Sequence, residues 1–389
     1  MHVIPDHLPG SLLRRFENIP DRLLRIMFRR GSEIQRVHVI QIIASRRAQD
    51  WRLILSGGLS DSSPAIRRHS ARALGAIADQ RDAAQLMKCT GMERCDTVRF
   101  NLGLAAIQCG IDAAELWGVL TEAAERRMRC AYGDRATGSS AGWGSAVLED
   151  LWVRGELANT SPKYAGRSAV AKARVGIAGN PDDREAVLAL GLWAEPQDAE
   201  HLGSLWRAAG RRMRLTLCRA MGLHGDPRFY RRLVECLESV DVDPGHGFAM
   251  RTEAAIALGR LGLRRGVRPL IRALETEALE HEGRPGAGMG IQHSVRIHIL
   301  AALGELQAAP HVLRTYLGNT HGSAQGGFYL PAMDALWKCG DSAGLRPLVS
   351  HNDILAANAL GVLRAIEGAE AIQEWVQDAR PMVAAVAAP

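Results

Sequence analysis

The side chains best suited to chemistry gather around three segments in the C-terminal half of this sequence. The segments span residues 241–247, 280–292 and 319–327, and charged or aromatic residues follow each of them. The candidate ligand- or partner-binding residues are His246, Arg251, His281, Glu282, His293, Arg296, His298, His321, Tyr329, Asp334 and Trp337. Histidine and carboxylate side chains coordinate metals or transfer protons, and arginine binds anions. Their spacing must decide among these chemistries.

The spacing of the histidines argues against a metal site. Neither H-x-x-x-H nor H-E-x-x-H occurs there, so no two ligands share one turn of helix. The glycine-rich runs at 283–290 and 322–327 each precede a predicted helix, whose N-terminal amides would suit a phosphate or carboxylate. No cysteine lies in a recognisable Cys/His pairing that would indicate an enzyme. We favour loops without a ligand and therefore predict no metal and no cofactor. The alternatives are a small anionic ligand, next in order, and a metal site.

A repeated pattern indicates how these segments are positioned. Residues 66–77 are echoed by residues 250–261 and 295–306, and weaker copies occur elsewhere. The marker residue Leu74 has equivalents near positions 106, 190, 221, 258, 303, 336 and 363, mostly ~27 to 37 residues apart. Apolar residues recur at helical spacing, and no stretch alternates convincingly like a strand. The sequence therefore predicts an all-α fold, an α-solenoid of stacked antiparallel helix pairs.

The repeated residues resemble a known family. Arg67, Ala73, Leu74, Gly75 and Ile77, with their copies around Leu258 and Leu303, resemble HEAT repeats, particularly the short HEAT-like repeats of phycobilin lyases. The resemblance covers roughly residues 33–378. It implies a HEAT-like superhelix whose second helices line a concave groove, usually a binding scaffold and only occasionally an enzyme. We expect a basic helical cap over 1–32, repeats over 33–155, repeats with long rim loops over 156–378, and a tail over 379–389.

Five arginines occupy one equivalent position near the start of the repeated helices: Arg67, Arg99, Arg214, Arg251 and Arg296. On a concave face they could hold an acidic partner or a phosphate backbone. The alternative is that each pairs with an acid in an adjacent turn, since Asp61 and Glu93 lie six residues before Arg67 and Arg99. The three long segments occupy the same place in successive repeats, so we expect them on one edge of the stack.

Composition sets the remaining expectations. The chain has 389 residues, a formal net charge of +6, and ten arginines against five acids in its first 60 residues. Seven cysteines without a C-x-x-C pair predict a reduced, cytoplasmic protein. The resemblance to short HEAT-like repeats, which many bacterial proteins contain, implies a protein of bacterial type. We find no secretory signal and no apolar run of the ~18 to 20 residues that a membrane span needs.

We therefore expect a scaffold that binds a protein partner through its concave groove and loop rim. One alternative is an enzyme or lyase-like ligand handler that holds a small anionic molecule at the Gly/His-rich rim. Another is a nucleic-acid binder that resembles the HEAT-like DNA glycosylases. The modest charge and the scarcity of lysine make nucleic acid the less favoured partner.

Overall fold

The computed structural model describes residues 19–111, 169–193, 197–239, 247–282, 295–319, 329–350, 353–379 and 381–387. These ranges contain helices and no β-strand. The α-helices are α1 (Asp21–Arg30), α2 (Glu33–Arg46), α3 (Arg52–Gly58), α4 (Pro64–Ile77), α5 (Ala83–Met92), α6 (Asp96–Gln108), α7 (Ala169–Gly179), α8 (Arg184–Trp193), α9 (Asp198–Ala208), α10 (Arg211–His224), α11 (Tyr230–Leu237), α12 (Gly247–Leu261), α13 (Val267–Glu282), α14 (Val295–Glu305), α15 (Pro310–Asn319), α16 (Tyr329–Cys339), α17 (Asp353–Glu367) and α18 (Pro381–Ala387). Short 3-10 helices cover Gln49–Trp51, Gln80–Asp82, Pro227–Phe229, Arg264–Gly266, Arg346–Ser350 and Ala369–Trp375.

Helix pairs stack in the order of the chain. Each odd-numbered helix from α1 to α15 packs against the even-numbered helix that follows it. Consecutive even-numbered helices also pack against one another, from α2 to α6 and from α8 to α16. We call α2, α4, α6, α8, α10, α12, α14 and α16 the inner helices and their odd-numbered partners the outer helices. The predicted all-α solenoid of antiparallel helix pairs is confirmed.

Local signals explain where an inner helix begins and ends. The hydroxyl of Ser63 accepts a hydrogen bond from the Ile66 amide at 3.3 Å, and Pro64 occupies the first turn of α4, where its missing N–H costs nothing. Ala78 ends the helix in the left-handed conformation, at φ 57°. A capping box formed by Ser32 and Gln35 begins α2 in the same way.

Glycines allow the inner helices to approach one another closely. A Cβ atom on Gly222, Gly259 or Gly304 would lie 2.7–2.8 Å from the Cα atom of an alanine on the next inner helix. Real Cβ atoms do not come so near, so these positions require glycine. Neighbouring inner helices therefore contact each other along their lengths, whereas the outer helices α11 and α13 touch only locally. The tighter inner layer forms the concave side of the stack.

The marker residues lie in one continuous hydrophobic core. Leu74, Leu190, Leu258, Leu303 and Leu336 are all fully or almost fully buried, and they belong to the same cluster of apolar side chains. A single helix pair could not cover its apolar stripe, whereas a stack covers each stripe with the next pair. The positions identified from the repeat are thus core positions.

Candidate binding groove

The concave surface is formed by equivalent side chains of successive inner helices. Most of them lie five or two residues before a marker residue or two residues after it, whereas Arg184 lies six residues before Leu190 and Arg212 nine before Met221. Contacts between neighbouring helices join them: Arg72 to Asn101, Arg184 to Thr216, Arg219 to Glu253, and Glu305 to Lys338. These polar side chains have one environment in the N-terminal helices α4 and α6 and a different one in the helices from α8 onward.

Arg68 and Arg72 of α4 bind the C-terminal ends of distant inner helices. Arg68 is 1% exposed, and its guanidinium donates to the carbonyls of Gly222 and Leu223 in α10 and of Arg260 in α12. Arg72 donates to the same Leu223 carbonyl at 2.8 Å and to the His224 carbonyl. The last carbonyls of a helix have no partner within it and carry the negative end of its dipole. The guanidinium groups of Arg68 and Arg72 therefore donate the hydrogen bonds that the last carbonyls of α10 cannot receive within their own helix.

The turns that end α10, α12, α14 and α16 all reach the N-terminal repeats. Each turn contains a left-handed residue, namely Gly225 (φ 78°), Gly262 (φ 74°), Gln307 (φ 49°) and Gly340 (φ 68°). A Cβ on Gly225 would contact Arg68, one on Gly262 would contact Ala65, and one on Gly340 would contact Arg94. The side chain of Gln307 accepts a hydrogen bond from Arg67 at 2.9 Å. Glycine is thus required at Gly225 and Gly262 both by φ and by the approach of the N-terminal chain.

A buried charge cluster joins α6 to α14 and α16. The Glu305 carboxylate accepts from the backbone amides of Asp96 and Thr97, at 3.3 and 3.1 Å, and so caps the N-terminus of α6. Lys338 lies 2.5 Å from Glu305 and 2.8 Å from Asp96. Burial acts to raise the Glu305 pKa, but the Lys338 ammonium outweighs it and lowers the pKa, so Glu305 is charged.

We call this set of contacts the seam. Its N-terminal side consists of Ala65, Arg67, Arg68, Arg72, Arg94, Asp96 and Thr97, and its C-terminal side consists of residues 222–225, 260–262, 305–307 and 337–340. His69 adds a contact between its Nε2 and the Gly225 carbonyl at 3.2 Å. The seam occupies the concave face of α4 with residues of the chain's own C-terminal repeats.

The inner faces of α8, α10 and α12 remain exposed. Arg184, Arg212 and Arg219 are exposed there, and Arg184 donates to Thr216 Oγ1 at 3.0 Å. Arg219 forms an ion pair with Glu253, whose side chain is 14% exposed. We call this surface the open groove; it comprises Arg184, Glu185, Leu188, Arg212, Thr216, Arg219, Glu253, Ile256 and His298. Burial lowers the pKa of His298, and the charge of Glu253 opposes this effect only in part. The lowered pKa favours the neutral imidazole.

The structure places only part of the predicted rim. His246, His293 and His321 lie outside the described residues, and for His281, Glu282 and Tyr329 only the helical backbone is described. Arg296 is buried, whereas Arg251, His298, Asp334 and Trp337 are half-buried. Of these, His298 belongs to the open groove, and Asp334 lies 3.5 Å from Lys338 beside the seam. The Trp337 ring lies 5.9 Å from the Arg94 guanidinium and the Trp337 carbonyl accepts from Arg94.

The arginines at the equivalent first-turn position form internal contacts. Arg67 forms an ion pair with Glu93 at 2.8 Å and donates to the Asp61 carbonyl, also at 2.8 Å. Arg99 donates to the Glu93 carbonyl and lies 3.3 Å from Asp96. Arg67 and Arg99 thus each contact the acidic residue six positions earlier, as expected if these arginines pair with an acid in an adjacent turn. The contact is made to the backbone carbonyl of that residue and not to its carboxylate. Arg214 is exposed, with its guanidinium 5.6 Å from the Trp206 ring.

Sequence analysis missed Arg184, Arg212, Arg219 and Glu253. For Arg219 and Glu253 the signal that could have found them is position relative to the marker residue, since Arg219 lies two residues before Met221 and Glu253 lies five before Leu258. In the described parts of the chain, no three His, Cys, Asp or Glu side chains converge in a way that could hold a metal ion. None of the described helices is both long and apolar enough to cross a membrane.

Comparisons with known proteins agree with the repeat architecture. A family model described as HEAT repeats matches residues 20–106, and one described as PBS lyase HEAT-like repeat matches residues 250–276. No curated protein matches the sequence. Among solved structures, a crystal structure of an engineered protein is 17% identical, covering 94% of this chain and 96% of that chain at a TM-score of 0.32. That structural similarity is too low to carry any argument about this chain.

Proposed function

We propose that this HEAT-repeat protein is a scaffold that holds a protein partner in its open groove and along the loop edge at 241–247, 280–292 and 319–327. HEAT repeats generally serve as protein-interaction scaffolds, which supports the class of function. The observation that carries the proposal is the contrast between two concave faces. That of α4 is occupied by the seam, whereas α8 and α10 expose Arg184, Arg212 and Arg219.

The charges of the open groove favour an acidic segment of a protein. Exposed guanidinium groups at Arg184 and Arg212 can bind carboxylates in a bidentate manner. Glu185 and Glu253 lie among these arginines, and their carboxylates would repel a continuous phosphate backbone. The half-buried Leu188 and Ile256 add apolar contact area between the charges. Mixed charge with apolar surface is typical of protein interfaces.

The proposed compartment is the cytoplasm. Six cysteines are free thiols in the described part of the chain: Cys89, Cys95, Cys109, Cys218, Cys236 and Cys339. Thiols persist where glutathione and thioredoxin keep them reduced, which supports this location.

The test compares charge reversal on the two layers of the stack. Arg184→Glu with Arg212→Glu alters the open groove, and Arg231→Glu with Arg272→Glu is the matched control on the outer helices α11 and α13, where both side chains are largely exposed. Each double variant changes the net charge by the same amount. We expect the wild type and the control to capture the same partner from source-cell extract, and the groove variant to bind the purified partner at least about tenfold more weakly.

Two results would refute the proposed groove. One is equal affinity of the groove variant and the wild type for the captured partner, with both variants retaining the wild-type melting temperature. The other is tight, salt-sensitive binding of random-sequence duplex DNA that the groove variant abolishes, which would make the surface a nucleic-acid site.

A further inference from the structure

The outward face of α1 combines arginine and aliphatic side chains. Leu24 is fully buried and marks the side of the helix that faces the core. With about 3.6 residues per turn, positions i, i+3, i+4 and i+7 of a helix share one face. Counted from position 22, these positions line one open hollow and are Arg22, Arg25, Ile26 and Arg29. Leu23 and Arg30 are exposed on the same side, next to Ile26.

The positive charge of this face is not compensated by acidic side chains. Among the residues that the structure describes, none forms an ion pair with Arg22, Arg29 or Arg30. The single carboxylate of α1, Asp21, lies 3.3 Å from the Arg46 guanidinium and accepts a hydrogen bond from the Trp51 indole at 3.2 Å. The outward face of α1 therefore presents charge of one sign.

We propose that α1 docks the protein onto an anionic phospholipid surface, with its arginines on the lipid phosphates and with Leu23 and Ile26 inserted between the headgroups. Leu23 is 51% exposed and Ile26 is 48% exposed, so both can enter the lipid without unfolding the helix. Helices with this pattern lie in the membrane interface, where each basic residue strengthens attachment to anionic lipid about fivefold. The ten residues of α1 extend about 15 Å, so the helix lies on the bilayer and does not cross it. This outer surface is separate from the open groove.

The two aliphatic side chains favour lipid over other anionic partners. A nucleic-acid backbone would neutralise the arginines but would leave Leu23 and Ile26 in water. The core of a protein interface is depleted of charge, whereas arginines surround Ile26 here. A lipid surface offers phosphate and hydrocarbon side by side, which matches both kinds of side chain. The cytoplasmic leaflet of a membrane is the anionic one.

Sedimentation of the full-length protein with vesicles of phosphatidylcholine and phosphatidylglycerol, mixed at about three to one, tests this surface. The wild type should bind these vesicles, and it should bind pure phosphatidylcholine vesicles at least about tenfold more weakly. Arg22→Gln with Arg29→Gln removes two charges and should weaken binding to the anionic vesicles by at least about tenfold. Leu23→Gln with Ile26→Gln keeps the charge but removes the inserted groups, and should also weaken binding at least about tenfold. Arg22→Lys with Arg29→Lys preserves the charge and should bind like the wild type.

Two double variants elsewhere on the molecule serve as matched controls. Arg231→Gln with Arg272→Gln removes the same charge from largely exposed arginines of α11 and α13, and Val175→Gln with Val376→Gln changes two exposed aliphatic side chains. Both should bind the anionic vesicles like the wild type.

The proposal fails if the wild type does not bind the anionic vesicles or binds pure phosphatidylcholine equally well. It also fails if the glutamine variants of α1 bind no more weakly than their controls. Binding of random-sequence duplex DNA that only the arginine variant loses, without binding of vesicles, would assign the face to nucleic acid instead.

Discussion

Arginine serves a different purpose at each position of the inner helix. In the first turn, Arg67 and Arg99 bind the loop that precedes their own helix. One residue later, Arg68 binds carbonyls of α10 and α12. Near the middle of the helix Arg72 binds carbonyls of α10, whereas its equivalent Arg219 borders the open groove. Residue type and spacing suggest anion recognition for all of them, yet helix-terminal carbonyls present the same partial negative charge. Only the partner distinguishes a structural arginine from a binding one.

His69 should make the stability of the fold depend on pH. Burial, followed by the charges of Arg68 and Arg72, lowers its pKa well below the usual value, so the folded protein holds it neutral. Below about pH 6.5 the unfolded chain binds a proton at this residue that the folded chain does not. The free energy of unfolding should therefore fall as pH decreases, by up to about 1.4 kcal/mol per pH unit from this group.

Urea unfolding of the wild type and His69→Gln, from about pH 5.5 to about pH 7.5, measures this contribution. The glutamine amide can still donate to the Gly225 carbonyl but does not titrate in this range. We expect the two proteins to differ in the slope of stability against pH, with the wild type steeper. Identical slopes would show that His69 is protonated in the folded state, contrary to its buried position beside two arginines.

At the scale of elements, the glycine of each inner helix sets the distance to the next. Gly259→Ala would place a Cβ 2.8 Å from the Ala302 backbone, so α12 and α14 would have to separate. We expect a loss of about 1 to 3 kcal/mol in the free energy of unfolding, as for other overpacked cores. The control is Gly203→Ala in the outer helix α9, where no atom lies within 4 Å of the new Cβ.

The control should stabilise the protein by up to about 1 kcal/mol, because alanine has the higher helix propensity. Thermal or urea unfolding of both variants supplies the comparison. A destabilised control with an unaffected Gly259→Ala variant would mean that the inner helices do not pack through their glycines.

The helices and their stacking could be predicted from the sequence because the information is local. Each repeat carries the same Ala-Leu-Gly signal within one helix, as at Leu74, Leu258 and Leu303, and burial of these residues follows from the period. The seam could not be predicted in this way. Its contacts join residues more than 150 positions apart, such as Arg68 with Gly222, and the repeat pattern contains nothing that pairs one unit with a distant one.

The open groove could be predicted from the sequence only in part. Most of its members, such as Arg219 and Glu253, occupy repeat positions that the sequence defines, but the repeat does not show which copies stay exposed. Arg72 and Arg219 are equivalent in sequence, and only the seam makes one a structural residue and the other an exposed one. The histidine-bearing rim stays a prediction, because His246, His293 and His321 lie outside the described residues.

At the scale of the molecule, the seam covers the concave face of α4 and leaves the inner faces of α8, α10 and α12 exposed in the described part of the chain. The N-terminal repeats donate arginines to the helix ends of the C-terminal repeats, and Glu305 returns a carboxylate to the N-terminus of α6. Both directions pair charge with the appropriate end of a helix dipole. A partner that approaches the stack therefore meets α8, α10 and α12 rather than α4. The proposed function depends on this closed arrangement.

A double-mutant cycle across the seam tests the closed arrangement most directly. Asp96 of α6 and Lys338 of α16 are both buried, and the Lys338 ammonium lies 2.8 Å from the Asp96 carboxylate. We predict that urea unfolding of Asp96→Asn, Lys338→Met and the double variant gives a coupling energy of about 0.5 to 3 kcal/mol, as for residues in contact. The control cycle pairs Asp96→Asn with Arg272→Met on the outer helix α13, where Arg272 pairs with Glu238, and should be additive within about 0.5 kcal/mol. Additive effects of Asp96→Asn and Lys338→Met would contradict the closed seam and leave the concave face of α4 as accessible as the open groove.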